Sequence, residues 1–150
     1  MKIRSDFVTN SSSSSFVIAF KNEEDKNAQK EYMNKYHPEY SNRVFKDIEK
    51  HLMDADTALE FYKEHAHWVA RFEILYETPE YRNMGYEWRH SKACKKIIAK
   101  REKELIDSFK EVLKENSIFA VISYSDDIDG ELEHHIMPFV PFVMETINNH

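Results

Sequence analysis

The order of apolar and polar residues along the chain predicts a strand near each end, with helices between them. Residues 16–20 are Phe-Val-Ile-Ala-Phe, a continuous apolar run typical of a buried strand, and we assign the strand to residues 15–20. Residues 118–124 form a second run, rich in β-branched and aromatic side chains. Because neither run leaves a polar face for solvent, we expect the two strands to lie side by side within one sheet.

Helical spacing of apolar residues dominates the chain after the first strand. A first helix is predicted to begin after Asn22, whose side chain can cap it, and to end at His37-Pro38. A second helix is predicted to begin at Ser41 and to bend or break at the polar residues 54–57. Its apolar stripe resumes beyond them.

Residues 67–77 fit two structures, because their spacing suits a helix while their aromatic and β-branched content suits a strand. We favour the helix. Thr78 followed by Pro79 is typical of a helix start, and residues 82–90 are predicted to be an irregular connection. The clearest helix covers residues 91–115, with apolar residues on one face and charged residues on the other.

The last third of the chain is predicted to contain a β-hairpin. Asp129-Gly130 is a strong turn signal, and residues 131–137 alternate in polarity like a strand antiparallel to residues 118–124. Residues 142–147 are predicted to form a short terminal helix. The N-terminal strand and this hairpin predict an α+β fold, a small antiparallel sheet covered by several helices in a single domain that covers the whole chain.

Composition excludes several classes of function. The chain has 21 basic and 27 acidic residues and a net charge of −6, which argues against a nucleic-acid partner and favours a basic protein. With only two glycines, Gly85 and Gly130, no phosphate-binding loop, dinucleotide fingerprint or nucleophile elbow can be placed.

Cys94 is the single cysteine, which excludes an internal disulfide and a multi-cysteine zinc site. No apolar run approaches the ~20 residues of a membrane helix, so we expect a soluble, cytoplasmic protein with no membrane partner.

The opening of the chain is a hydroxyl-rich segment. Its sequence up to Phe16, K-x-R-x-D-F-V-T-N-S-S-S-S-S-F, resembles an N-terminal segment that recurs on small bacterial proteins, and this resemblance brings no activity with it. The segment can be a polar lead-in to the strand, a cradle for an anion or a target of modification. We predict that Phe7 and Val8 dock it on the body and that another molecule recognises it. The proposed recognition residues are Arg4, Asp6, Phe7, Thr9, Asn10, Ser11, Ser12, Ser13, Ser14 and Ser15.

The acidic residues after the second strand form another set of candidates. A calcium loop beginning at Ser125 would place Ile136 where a bidentate glutamate is required, so we predict neither a calcium site nor any other metal site. Glu133 and His134 could instead form an acid–base pair. On a strand, His134 and His135 would point to opposite faces and could not share an ion. The catalytic candidates are His134, Glu133, Asp127 and Asp129, and we assign no cofactor.

A cysteine and an aromatic cluster complete the candidate features. Cys94 lies near the start of a predicted helix with His90 one turn away, which suits an activated nucleophile, but a packing role is favoured. The aromatic residues of 76–90, interleaved with Arg82 and Arg89, have the composition of an interaction surface, whereas packing in the core is the favoured alternative.

The sequence contains no complete catalytic constellation. We therefore expect a non-enzymatic bacterial domain that binds another macromolecule, most simply another protein. The alternative is an enzyme with an acid/His site at residues 126–135, with or without a divalent ion. A third interpretation makes the N-terminal segment a modified or recognised tag. A pocket that combines the acids with His134 would favour the enzyme, and an aromatic surface would favour binding.

Overall fold

The structure, a computed structural model, describes residues 13–148. Four strands lie within this range: Ser13–Phe20 (β1), Leu52–Met53 (β2), Ile118–Ser125 (β3) and Val143–Asn148 (β4). The α-helices are Glu23–Tyr36 (α1), Pro38–Lys50 (α2), Ala55–Phe72 (α3), Pro79–Arg82 (α4), Tyr86–Arg89 (α5), Lys92–Glu115 (α6) and Asp126–Glu131 (α7). Two π-helical segments, Glu73–Glu77 and Leu132–Ile136, continue α3 and α7, and a 3-10 turn, Met137–Phe139, follows the second.

These elements form two compact units. One comprises the described residues up to Ala58 together with those from Glu115 onward, and it contains the sheet. The other is Leu59–Lys114, which contains α4, α5 and most of α3 and α6. The single domain expected from the sequence stays a prediction.

The sheet is antiparallel with the strand order β2-β3-β1-β4, so β1 is an interior strand. Phe16 pairs with Ile122 of β3 on one side and with Thr146 of β4 on the other. A register shift between Val17 and Ile18 marks an irregularity in the pairing with β4. The predicted pairing of the two apolar runs and the predicted α+β fold class are both confirmed.

The main core lies between one face of this sheet and helices α1 and α2. Phe20 of β1 is fully buried, and its ring centroid lies 6.1 Å from that of Phe45 and 5.4 Å from that of Phe142. Val17 and Ala19, on the opposite face of β1, are buried as well. A strand buried on both faces needs a continuous apolar sequence, which is the pattern of residues 16–20.

Helix boundaries in the first unit follow local capping chemistry. The Asn22 side chain accepts a 2.8 Å hydrogen bond from the Asp25 backbone N–H, which confirms the predicted cap of α1. Helix α1 ends before His37, also as predicted. The predicted start of the second helix at Ser41 is wrong, because α2 already begins at Pro38, whose fixed φ suits the first helical position.

Helix predictions for the second unit are largely confirmed. Residues 67–77 are helical, as α3 and the π-helical segment that continues it. Thr78 precedes α4, and α6 covers almost all of residues 91–115. The irregular connection predicted for residues 82–90 is interrupted by one helical turn, α5.

The predicted C-terminal hairpin is wrong. Residues 126–136 are helical with a kink at Asp129, and the strand that completes the sheet is β4, which pairs with β1. Leu132 and Ile136 are both buried at a spacing of four, which fits a helical face as well as it fits alternate strand positions. The acidic residues after Ser125 favour a helix start there. Residues 143–148 are a strand where a terminal helix was expected.

Candidate functional site

A row of ring-bearing side chains, partly buried at its start and exposed from Trp68 onward, runs along α3 and its π-helical continuation. We call it the aromatic stripe, and it consists of Phe61, His65, Trp68, Phe72 and Tyr76. The last three are the most accessible, with Trp68 65%, Phe72 54% and Tyr76 49% exposed. The steps of three and four residues between successive members place the whole stripe on one side of the helix.

The aromatic stripe is separate from the face that α3 buries. Tyr62, Ala66 and Ala70 are fully buried, and the Tyr62 ring stacks on Phe109 of α6 with centroids 4.3 Å apart. An amphipathic helix needs one apolar stripe to pack into a core, and α3 carries a second one. The fold therefore leaves Trp68, Phe72 and Tyr76 largely exposed, while Phe61 and His65 are partly buried.

Neighbouring side chains hold the C-terminal end of the stripe in place. The Phe72 and Tyr76 ring centroids lie 5.3 Å apart, and the Arg89 guanidinium of α5 lies 5.2 Å from the Tyr76 centroid. Arg101 of α6 donates hydrogen bonds of 2.6 and 3.2 Å to the two carboxylate oxygens of Glu73. This bidentate pair raises the pKa of Arg101 above its usual value and anchors the start of the π-helical segment to α6.

Two acidic side chains border the N-terminal part of the stripe. Glu60 and Glu64 are exposed on α3 and lie on the flank away from the buried face. Lys63 Nζ lies 4.0 Å from a Glu60 carboxylate oxygen, a weak surface pair. A partner that covers the stripe would therefore meet acids at its N-terminal part and Arg89 beside Tyr76.

The aromatic cluster predicted at residues 76–90 divides into two parts. Tyr81 and Trp88 stack on each other with centroids 5.0 Å apart and are partly buried. Tyr76 and Tyr86 are exposed. The four-residue spacing of Trp68, Phe72 and Tyr76 in the sequence indicates a helix. This spacing alone does not tell which side of the helix faces solvent.

In the sheet-containing unit, Glu133 and His134 lie beside the N-terminal strand. Ser14 Oγ donates a 2.9 Å hydrogen bond to Glu133 Oε2, and His134 Nε2 lies 2.8 Å from Glu133 Oε1. Asp126 joins them, since ligand atoms of Asp126, Glu133 and His134 all lie within 4.8 Å of one another. The Glu133 side chain is fully buried, whereas His134 is 45% exposed. The predicted strand, on which His134 and His135 would point to opposite faces, is wrong, because residues 132–136 are helical.

The other two catalytic candidates lie elsewhere. Asp129 forms a bidentate ion pair with Arg43 of α2, in which Arg43 Nη2 donates a 2.8 Å hydrogen bond to Asp129 Oδ2. This contact ties α7 to α2 and gives Asp129 a structural role. Asp127 is exposed and does not belong to the group formed by Asp126 and Glu133.

The recognition residues fall partly outside the described range. Arg4, Asp6, Phe7, Thr9, Asn10, Ser11 and Ser12 precede residue 13, so their predicted docking stays a prediction. Ser13, Ser14 and Ser15 belong to β1. Ser15 and Ser123 place their hydroxyl oxygens 2.8 Å apart across the β1–β3 pair.

Cys94 and the cavity of the first unit do not add to the acid–histidine group. Cys94 is fully buried in α6, which suits packing. A cavity of 620 Å³ lies between α1 and α2. Lys26, Lys30 and Lys46 are among the residues that line it, and none of residues 126–135 does.

Among residues 13–148, no helix has both the length and the apolar composition required to cross a membrane.

Comparison of the chain with models of protein families, with curated proteins and with solved structures found no match.

Proposed function

We propose that this chain is a protein-binding domain and that the aromatic stripe of α3 is its docking surface. The observation that carries the proposal is the exposure of Trp68, Phe72 and Tyr76 on successive turns of one helix. Large aromatic side chains on a surface are enriched at protein interfaces and supply much of their binding energy. We place this activity in the cytoplasm of a bacterium, in line with the single cysteine and the resemblance of the opening segment.

The spacing of the stripe supports a helical partner. From Phe61 through His65 and Trp68 to Phe72 the steps are four, three and four residues. This is the spacing of the contact positions in paired helices, where side chains of one helix insert between those of the other. An amphipathic helix of the partner would cover the stripe along its length.

The charges support a basic partner. Glu60 and Glu64 flank the stripe, and the whole chain carries a net charge of −6. Opposite charge on the partner would speed association and fix its orientation, while the aromatic contacts would supply most of the affinity. We therefore commit to a basic, amphipathic helical segment of another protein as the ligand.

The test uses a Trp68→Ser, Phe72→Ser double variant, with Phe139→Ser as the matched control. Phe139 is 75% exposed but lies in the sheet-containing unit. A partner is first captured with the wild-type chain from its own cells, and its binding is then measured by calorimetry with purified proteins. The double variant should weaken binding by about 30-fold or more, which corresponds to about 2 kcal/mol, and the control should bind like the wild type.

Three results would overturn the proposal. They are equal binding by the double variant, equal weakening by the Phe139 control, and a wild-type dimer that the double variant dissociates in sedimentation experiments. The last result would assign the stripe to self-association. Each single substitution should change the free energy of unfolding by only about 0.5 kcal/mol, so lost binding would not reflect lost folding.

A further inference from the structure

We propose that Asp126, Glu133 and His134 together bind one divalent transition-metal ion. The three side chains offer two carboxylates and one imidazole, and their ligand atoms lie within 4.8 Å of one another. Ligands bound at about 2.0–2.2 Å from a metal lie about 3–4 Å apart, so small side-chain rotations close the group around an ion.

The burial of Glu133 points to a ligand. Its side chain is fully buried, and burying a carboxylate is costly unless its charge is paired and its oxygens are hydrogen-bonded. Glu133 Oε1 accepts no well-aligned hydrogen bond from any group in residues 13–148, although His134 Nε2 lies only 2.8 Å away. At 2.8 Å the two atoms are slightly closer than neighbouring metal ligands, so a small outward rotation of the exposed His134 ring would admit an ion that both atoms bind.

Ser14 orients the carboxylate. Its hydroxyl donates to Oε2, which leaves Oε1 directed towards His134. Metal-binding carboxylates and imidazoles are commonly held in this way by a second hydrogen bond, and such outer partners strengthen metal binding. Ser14 is therefore a positioning residue, and it connects the hydroxyl-rich opening segment to the site.

The helical backbone of residues 132–136 makes the site possible. It turns Glu133 inward while leaving His134 accessible, and it brings both close to Asp126 at the start of α7. The sequence argument against a metal site rested on a mismatched calcium loop and on a strand that would separate His134 from His135, and the structure has helix in place of that strand. Exposure of His134 and Asp126 leaves the remaining coordination positions of an ion open to water.

The ligand set selects the class of metal. Calcium and magnesium prefer all-oxygen sites, whereas zinc and its neighbours accept imidazole together with carboxylates. We therefore assign the site to Zn²⁺ or a similar first-row ion.

The test is a titration of the full chain with Co²⁺, a coloured substitute for Zn²⁺, followed by competition with Zn²⁺. The variants are His134→Ala, Asp126→Asn and Glu133→Gln. His135→Ala is the matched control, because His135 is the adjacent exposed histidine and lies outside the group. The chain has eight histidines, so this control separates the site from adventitious binding.

We expect one Co²⁺ per chain and a visible absorption band. His134→Ala and Asp126→Asn should each weaken binding at least tenfold, Ser14→Ala should weaken it by about 10–100-fold, and His135→Ala should leave it unchanged. His134 and Asp126 are exposed, so their variants keep the fold even if Glu133→Gln does not. The absence of one-to-one binding, binding that survives His134→Ala, or equal loss in His135→Ala would overturn the proposal.

Discussion

Ser14 of β1 donates a 2.9 Å hydrogen bond to the buried carboxylate of Glu133, 119 positions later in the chain. The contact joins the last part of the serine run to the helical segment that carries His134. It gives at least one serine of that run a defined role in the folded protein.

Replacing Ser14 with alanine should destabilise the protein by about 1–3 kcal/mol, because a buried acceptor would lose its hydroxyl donor. Ser13→Ala is the control, since Ser13 lies in the same strand but is less buried. The free energy of unfolding, measured by urea denaturation, should change by about 0.5 kcal/mol or less in the control. Equal effects in the two variants would show that the Ser14–Glu133 bond contributes nothing specific.

The interior position of β1 makes its aromatic residues essential for stability. Phe16→Ala should cost about 3–5 kcal/mol, because it removes a fully buried ring from the core. Phe139→Ala, at a 75% exposed ring, should cost about 0.5 kcal/mol or less. Denaturant unfolding of both variants tests this ranking, and a small effect at Phe16 would contradict the central placement of the strand.

Tyr124 should make stability fall at alkaline pH. Burial, and then the 2.8 Å hydrogen bond that its hydroxyl donates to Asp47, raise the pKa of Tyr124 in the folded state. Above the unfolded value of about 10, the unfolded chain loses this proton while the folded chain keeps it. The stabilisation is thus complete below pH ~10 and is lost as the pH rises further.

The measurement is the free energy of unfolding as a function of pH for the wild type, Tyr124→Phe and the exposed control Tyr86→Phe. Tyr124→Phe should flatten the alkaline decline, and Tyr86→Phe should reproduce the wild-type curve. Parallel curves for all three proteins would be inconsistent with a raised pKa at Tyr124.

The sequence predicts β1 and β3 well because their signal is local. Continuous apolar runs such as residues 16–20 and 118–124 have few alternatives to a buried strand. Residues 131–137 are different, since Leu132 and Ile136 satisfy both a helical and an alternating pattern. Only the packing of the folded chain decides between the two.

The candidate sites depend on contacts that no local pattern contains. The bond between Ser14 and Glu133 spans most of the chain, and the burial of a carboxylate contradicts the usual preference of glutamate for the surface. Trp68 and Phe72 could be placed on a helix from their spacing, but their exposure follows from which face α3 buries.

The most direct test of the docking surface uses Trp68 as its own reporter. A Trp88→Phe variant keeps an aromatic ring against Tyr81 and leaves Trp68 as the only tryptophan. In the isolated chain, Trp68 emission should be that of a solvent-exposed indole, readily quenched by acrylamide and independent of protein concentration. When the captured partner is added to saturation, the emission should shift to shorter wavelength and the quenching should fall. Unchanged emission and quenching in the saturated complex would contradict the proposal that the aromatic stripe is where the partner binds.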